Sequence, residues 1–218
     1  MARKKIVKKK ETNPLDKQAM LVFSAIVVFL IALVSTPYIY HQLFEKFSYA
    51  GINFEKTKYE KVTFYHGTFP VIYQGKFIHY YEMYLRTDPR KNNISLNANI
   101  SISKNVSISF EPDATFCKSA ILGQSLMGQF LSAFPWVEKI DMATNDSEMA
   151  KAQNWSYITC DNASAEHTVF MVQKSNSPSI EQGEKDNCFI VKVGECQNIE
   201  TVERLVVGTI AQINKAKI

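Results

Sequence analysis

The sequence predicts an α+β protein carried on an N-terminal transmembrane helix: an antiparallel β meander, then a small α/β sandwich of thioredoxin-like outline. Three observations lead there. The run from Ala19 to Tyr40 contains no formal charge. Between residues 51 and 104 apolar and polar residues alternate with the period of a pleated strand. From 105 onward strand and helix periods take turns, ending on an amphipathic helix.

The first element is a basic tail, residues 1–18. Arg3, Lys4, Lys5, Lys8, Lys9, Lys10 and Lys17 face only Glu11 and Asp16, so the net charge of +4 belongs to the tail and the rest of the chain is close to neutral. Nucleic-acid binding draws most of its affinity from neutralised phosphates and needs its basic patch on the folded part. A neutral folded part argues against nucleic acid as a partner.

Residues 19–40 follow, with the almost unbroken apolar run AMLVFSAIVVFLIALVS. About 20 apolar residues at 1.5 Å each cross a hydrocarbon core of ~30 Å, so a transmembrane helix is expected, with the lipid bilayer as partner. Pro37 lies at its exit, and Tyr38 and Tyr40 suit the interfacial aromatic belt. A cleaved signal peptide has a shorter apolar run and a small-residue cleavage site, which LVSTPYIYH lacks. Positive charge before the helix and little after it predicts a cytoplasmic N-terminus and an extracytosolic C-terminal region in the cell membrane. The lysines could also touch anionic headgroups.

Residues 41–50 are expected to extend the helix by a turn or two, with Leu43, Phe44 and Phe47 on one side and Gly51 as the stop. The meander, 51–104, is built from KYEKVTFY, PVIY, KFIHYYEMYLR and the stretch opening at Asn93, punctuated by Gln74-Gly75 and Asp88-Pro89. In that last stretch, NISLNANISISKNVSISF, Ile94, Leu96, Ala98, Ile100, Ile102, Val106, Ile108 and Phe110 share one parity, which turns them to the core. Eighteen residues exceed a usual strand, so a break is expected near Lys104.

The α/β part, 105–218, begins with NVSISF as a strand. A helix carries its apolar residues at 122, 126, 130 and 134. KIDMA and WSYITC are expected strands around a short helix from Ser147, and HTVFMVQ and CFIVKV are further strands, with SNSPSIEQGEKDN a polar loop between them. The closing helix has Asn198 as its cap and Ile199, Val202, Val206, Ile210 and Ile213 along one stripe.

Two features match an outer compartment. All four cysteines, Cys117, Cys160, Cys188 and Cys196, lie beyond the span, and an even count there points to two disulfides. Three pairings are open. Pairing Cys188 with Cys196 requires the chain to fold back at Gly194, since eight extended residues cover ~26 Å. Glycosylation sequons occur at Asn93, Asn99, Asn105, Asn145, Asn154 and Asn162, all beyond the span, while Pro178 excludes Asn176. Asn93, Asn99 and Asn105 share parity, so a continuous strand would display glycans opposite its apolar face.

Catalytic signals are weak. His41, His66, His79 and His167 have no metal-ligand spacing, no Cys-x-x-Cys is present, and GQSLMG around Ser125 departs from the nucleophile-elbow pattern inside a helix. No catalytic residue, metal or cofactor is expected. Fifteen of the aromatics fall between Tyr38 and Tyr84, enough for a stacking surface for sugars or a partner's apolar patch, although sheet packing and interfacial positions account for most of them.

YEMYLRTDPRKN, and NCFIVKV followed by CQNIETVERLVVGTI, resemble segments of uncharacterised single-pass membrane proteins of small-genome archaea. The resemblance covers most of the outer region. It implies a glycosylated archaeal surface and no particular activity. The combined expectation is a membrane-anchored, N-glycosylated extracytosolic module that binds or assembles with an envelope or membrane protein. The alternative is a membrane-tethered thiol-disulfide oxidoreductase using Cys117, near a helix start.

Overall fold

The computed structural model describes residues 14–114, 118–194 and 198–215. Residues 1–46 and 47–218 form two compact units. In the first, α1 runs from Pro14 to Tyr40 and passes into a wide, π-type turn at His41–Glu45. Among the described residues one helical stretch, Gln18–Glu45, is long and apolar enough to cross a membrane, with a mean hydropathy of 2.7 and none of that apolar window buried. Tyr40 and Phe44 stack at 4.9 Å. The helical path ends sooner than residue 50, because Lys46 is already extended (φ −105, ψ 135) and opens the first strand.

The antiparallel meander is β1 (Lys46–Tyr49), β2 (Ile52–Tyr59), β3 (Val62–Tyr73) and β4 (Lys76–Leu85), paired in that order. Gln74 and Gly75 both take positive φ, 50° and 76°, the twist a two-residue hairpin needs. Alternation buries Ile52, Phe54, Phe69, Val71, Tyr81, Met83 and Leu85 on the inner face. Gly67 is fixed by packing: a Cβ there would sit 2.5 Å from the Phe54 ring.

The α/β part contributes β5 (Ser95–Asn97), β6 (Asn105–Phe110), α2 (Lys118–Ser132), β7 (Lys139–Thr144), α3 (Ser147–Gln153), β8 (Ser156–Tyr157), β9 (His167–Lys174), β10 (Ser179–Gln182), β11 (Cys188–Val193) and α4 (Asn198–Lys215). They form a seven-stranded sheet in the order β5-β10-β11-β9-β6-β7-β8. β6, β7, β8, β9 and β11 run parallel, and β10 is antiparallel to β11. The α+β class is therefore as the periodicities imply, on a sheet larger than a small thioredoxin-like sandwich.

Three local readings change. The polar loop after β9 contains a strand, β10, held between β11 and β5. The 93–110 stretch breaks before Asn105, as expected near Lys104, but its two strands lie in different places: β5 on the sheet edge and β6 in its middle. The buried line of α2 is Met127, Phe130 and Leu131, continued by Phe134 just beyond the helix, whereas Leu122 is exposed.

One core joins the layers. The meander's inner face, α2, α4 and one face of the seven-stranded sheet belong to a single buried cluster, with Tyr81 against Phe130 at 5.8 Å. This explains why α4 is buried well beyond its predicted stripe, including Thr201, Glu203 and Thr209. The opposite face of the sheet holds a smaller cluster of Ala143, Ile158, Val169, Met171 and Cys188. β6 and β9 are thus covered on both faces, as central parallel strands are.

Candidate functional sites and surfaces

The cysteine staple lies in the smaller cluster. Cys160, on a short 3₁₀ turn, is bonded to Cys188 at the start of β11, with Cα atoms 5.4 Å apart. A straight β11 disfavours the Cys188–Cys196 pairing, as expected, and the turn at Cys160–Asn162 comes to the strand's beginning to make this one. Gly183 packs directly on the bridge, since a Cβ there would lie 3.0 Å from both sulfurs. Cys188 is fully buried and the Met171 sulfur is 3.4 Å from Cys160 Sγ. A bridge so enclosed by apolar atoms acts as a structural clasp. Cys117 and Cys196 lie outside the described residues, and no cysteine among the described residues is free.

The sequons separate by accessibility. Asn93, Asn99, Asn154 and Asn162 are exposed, and Asn145 is half-buried. Asn154 caps α3 with a left-handed backbone, and Asn162 Oδ1 accepts from Thr159 N at 2.9 Å. Asn105 is different. It lies in β6 between β7 and β9, its Nδ2 points to Glu166 O at 3.4 Å, and the Ser107 that completes its sequon is wholly buried.

Ser107 Oγ meets His167 Nε2 at 2.7 Å across β6 and β9. This is a nucleophile–base geometry that sequence reasoning missed, because the two residues are 60 apart and sit in ordinary strand alternation. Among the described residues no carboxylate holds the imidazole, and Ser107 is 0% exposed, so the contact satisfies a buried hydroxyl and presents no nucleophile. Ser109 Oγ is satisfied in the same way by Ile158 O at 2.6 Å. Ser125 lies within α2, bonded only to Gln129 Nε2 at 3.2 Å among the described residues. His66 stacks on Tyr84 at 4.6 Å, and among the described residues no three His, Cys, Asp or Glu side chains gather as metal ligands.

The strongest polar cluster joins α4 to the loop after β4. Glu203 is buried, and its carboxylate accepts from the backbone N–H of Arg86 at 2.5 Å and of Thr87 at 3.1 Å. Asn92 Nδ2 donates to Glu200 O at 2.7 Å and Arg204 Nε to Ile94 O at 2.8 Å. Arg90 pairs with Asp88 at 2.7 Å, holding that carboxyl below its usual range, and lies 3.7 Å over the Phe47 ring. The crevice lined by Leu85, Thr87, Pro89, Asn92, Glu203, Arg204 and Val207 has no room for even a water-sized sphere, so it is no ligand pocket. The cluster is therefore a clamp on the loop. No sequence signal separates Glu203 from a solvated helix face.

Burial pushes Glu203 up to about 7, against the opposing pull of the two amides. A folded-state value above the unfolded one means that the acid form suits the fold, so the contribution is complete below the unfolded value near 4.5. It is lost as pH rises to 7, where about 3 kcal/mol has gone. Urea unfolding of the full chain in nanodiscs, followed by Trp136 and Trp155 fluorescence, will show stability falling from pH 5 to pH 7.5. Glu203→Gln, a mimic of the protonated acid, will flatten that slope.

The outer face of the meander is aromatic: Tyr59, Phe77, Tyr80 and Tyr84 are exposed, with Phe77 and Tyr80 at 4.8 Å. Phe54, Phe69 and Tyr81 face the core instead. The aromatic excess thus serves both packing and surface. Neither a family model, nor a curated protein, nor a solved structure matches the chain, so its function is argued from these residues alone.

Proposed function

We propose that the chain is a single-pass, membrane-anchored and N-glycosylated extracytosolic module that binds or assembles with another envelope or membrane protein, its lysine-rich end in the cytoplasm. The observation that carries it is the Gln18–Glu45 helix, whose apolar window is uncovered by its own unit. The enclosed Cys160–Cys188 bridge supports an oxidising compartment. The absence of an accessible nucleophile–base pair and of a metal cluster among the described residues favours binding over catalysis. An archaeal surface, as the sequence resemblance implies, is part of the proposal. Gentle cross-linking in native membranes tests it: a discrete membrane-protein adduct supports a binding module, and a chain that captures nothing contradicts it.

Cys117 and Cys196 lie outside the described residues, and two disulfides stay the expectation for the four cysteines. Thiol titration of the native protein then finds no free thiol under mild reductant. One reactive, low-pKa thiol would instead support the oxidoreductase reading.

Glycan occupancy follows strand pairing, because an acceptor Asn-x-Ser must be reached in extended, unpaired form. Glycopeptide mass spectrometry is expected to find Asn105 unmodified, with occupancy confined to the accessible sequons Asn93, Asn99, Asn154 and Asn162. Asn105 carries a glycan only if modification precedes the pairing of β6.

A further inference from the structure

β5 is the last strand of the seven-stranded sheet, so one side of Ser95–Asn97 meets no strand. Sheets blunt such edges with charge, proline or bulges, because an open row of N–H and C=O groups is a template for another chain. Edges elsewhere in the molecule follow that rule. β4 carries Lys76 and Glu82, and Ile78 is the extra residue of a bulge, since Val71 faces His79 and Ile72 faces Phe77. β8 covers β7 only at Ala143 and Thr144, and the uncovered part of β7 holds Lys139 and Asp141, paired at 2.6 Å. β5 has none of these devices: from Asn92 to Ser103, NNISLNANISIS, there is no charged residue and no proline. Ile94, Leu96, Ala98, Ile100 and Ile102 alternate with Asn and Ser. Low charge and β-forming side chains mark a segment that pairs with its own kind.

β5 is short because α4 holds the chain on both sides of it. Arg204 Nε donates to Ile94 O at 2.8 Å, Gln212 Nε2 to Ala98 O at 2.7 Å, and Ile100 N to Gln212 Oε1 at 2.9 Å. Leu96 packs on Gly208, where a Cβ would have no room. These contacts turn the even positions inward and leave Asn93, Ser95, Asn97, Asn99 and Ser101 exposed. The sequons bracket the bare edge, Asn93 two residues before β5 and Asn99 two residues after it. We propose that glycans at Asn93 and Asn99 are the gatekeepers of this edge, bulky hydrated chains that keep a second extended segment off β5 in place of charge or proline; the proposal rests on the N-glycosylation reading.

The test compares three forms of the full chain in detergent: the native chain from a glycosylating host, Asn93→Gln/Asn99→Gln from the same host, and the unchanged sequence from a host without N-glycosylation. Glycopeptide mass spectrometry comes first. A native chain bare at Asn93 or Asn99 overturns the proposal through the glycosylation reading itself. With both sites occupied, sedimentation velocity is expected to show the two sugar-free forms growing with concentration beyond the native chain. In the grown species hydrogen exchange at 95–97 slows about tenfold or more. Asn97→Lys added to the double variant restores the native size, because a lysine on the edge replaces the sugar. Sugar-free forms as dispersed as the native chain, association without new protection at 95–97, or association that Asn97→Lys leaves in place overturns the proposal while glycosylation stands.

Discussion

Replacing Phe130 with alanine will lower the stability of the 47–218 unit by about 3–5 kcal/mol, the usual cost of removing a buried phenylalanine. Phe130 is 2% exposed and stands where the layers meet. Its ring is 5.8 Å from Tyr81 of the meander and 5.0 Å from Phe134, just beyond the end of α2. The Tyr81 hydroxyl beside it is buried, and burial pushes its pKa up to about 12. Since the meander and the α/β part share this core, both should unfold in a single cooperative transition. Urea titration checks this: tryptophan fluorescence follows the α/β part, and hydrogen exchange on β3 and β4 peptides follows the meander. The midpoints should coincide in the native chain and move together in the variant.

The second large effect is expected at the clasp. Changing Cys160 and Cys188 together to serine removes a bridge that closes 28 residues of chain, which the loop-entropy model values at about 3.5 kcal/mol. Buried serine at position 188 adds to the loss, because that side chain is fully enclosed beside Val169 and Met171. The measured quantity is the thermal midpoint of the full chain with and without the pair. Loss should concentrate in the smaller cluster, so exchange protection in β9 and β11 falls more than in β2 and β3.

Much of the architecture was legible because it is local. The charge-free run of α1 and the alternation of β2 to β4 depend on neighbours in sequence, and so does the stripe of α4. What escaped depends on partners far along the chain. Ser179–Gln182 reads as polar loop because its inward residue, Ile180, stands alone among polar neighbours; only pairing with β11 and β5 makes it a strand. In β6 the serines look solvated by their parity, yet the second cluster and the 156–166 segment cover them, with Ser109 reaching Ile158 O. Glu203 occupies a helix face that the meander closes, and its role appears only once Arg86 and Thr87 arrive from more than a hundred residues away. Asn93 and Asn99 are exposed, whereas Asn105 shares their parity but not their exposure.

The most direct measurement of the central claim is protease accessibility in intact cells with epitope tags at both ends. Tail residues are expected to stay protected while the region beyond Glu45 is digested, releasing the C-terminal tag. A C-terminal region that survives protease in intact cells and yields only after lysis contradicts the anchored, outward-facing arrangement, and with it the glycan proposal.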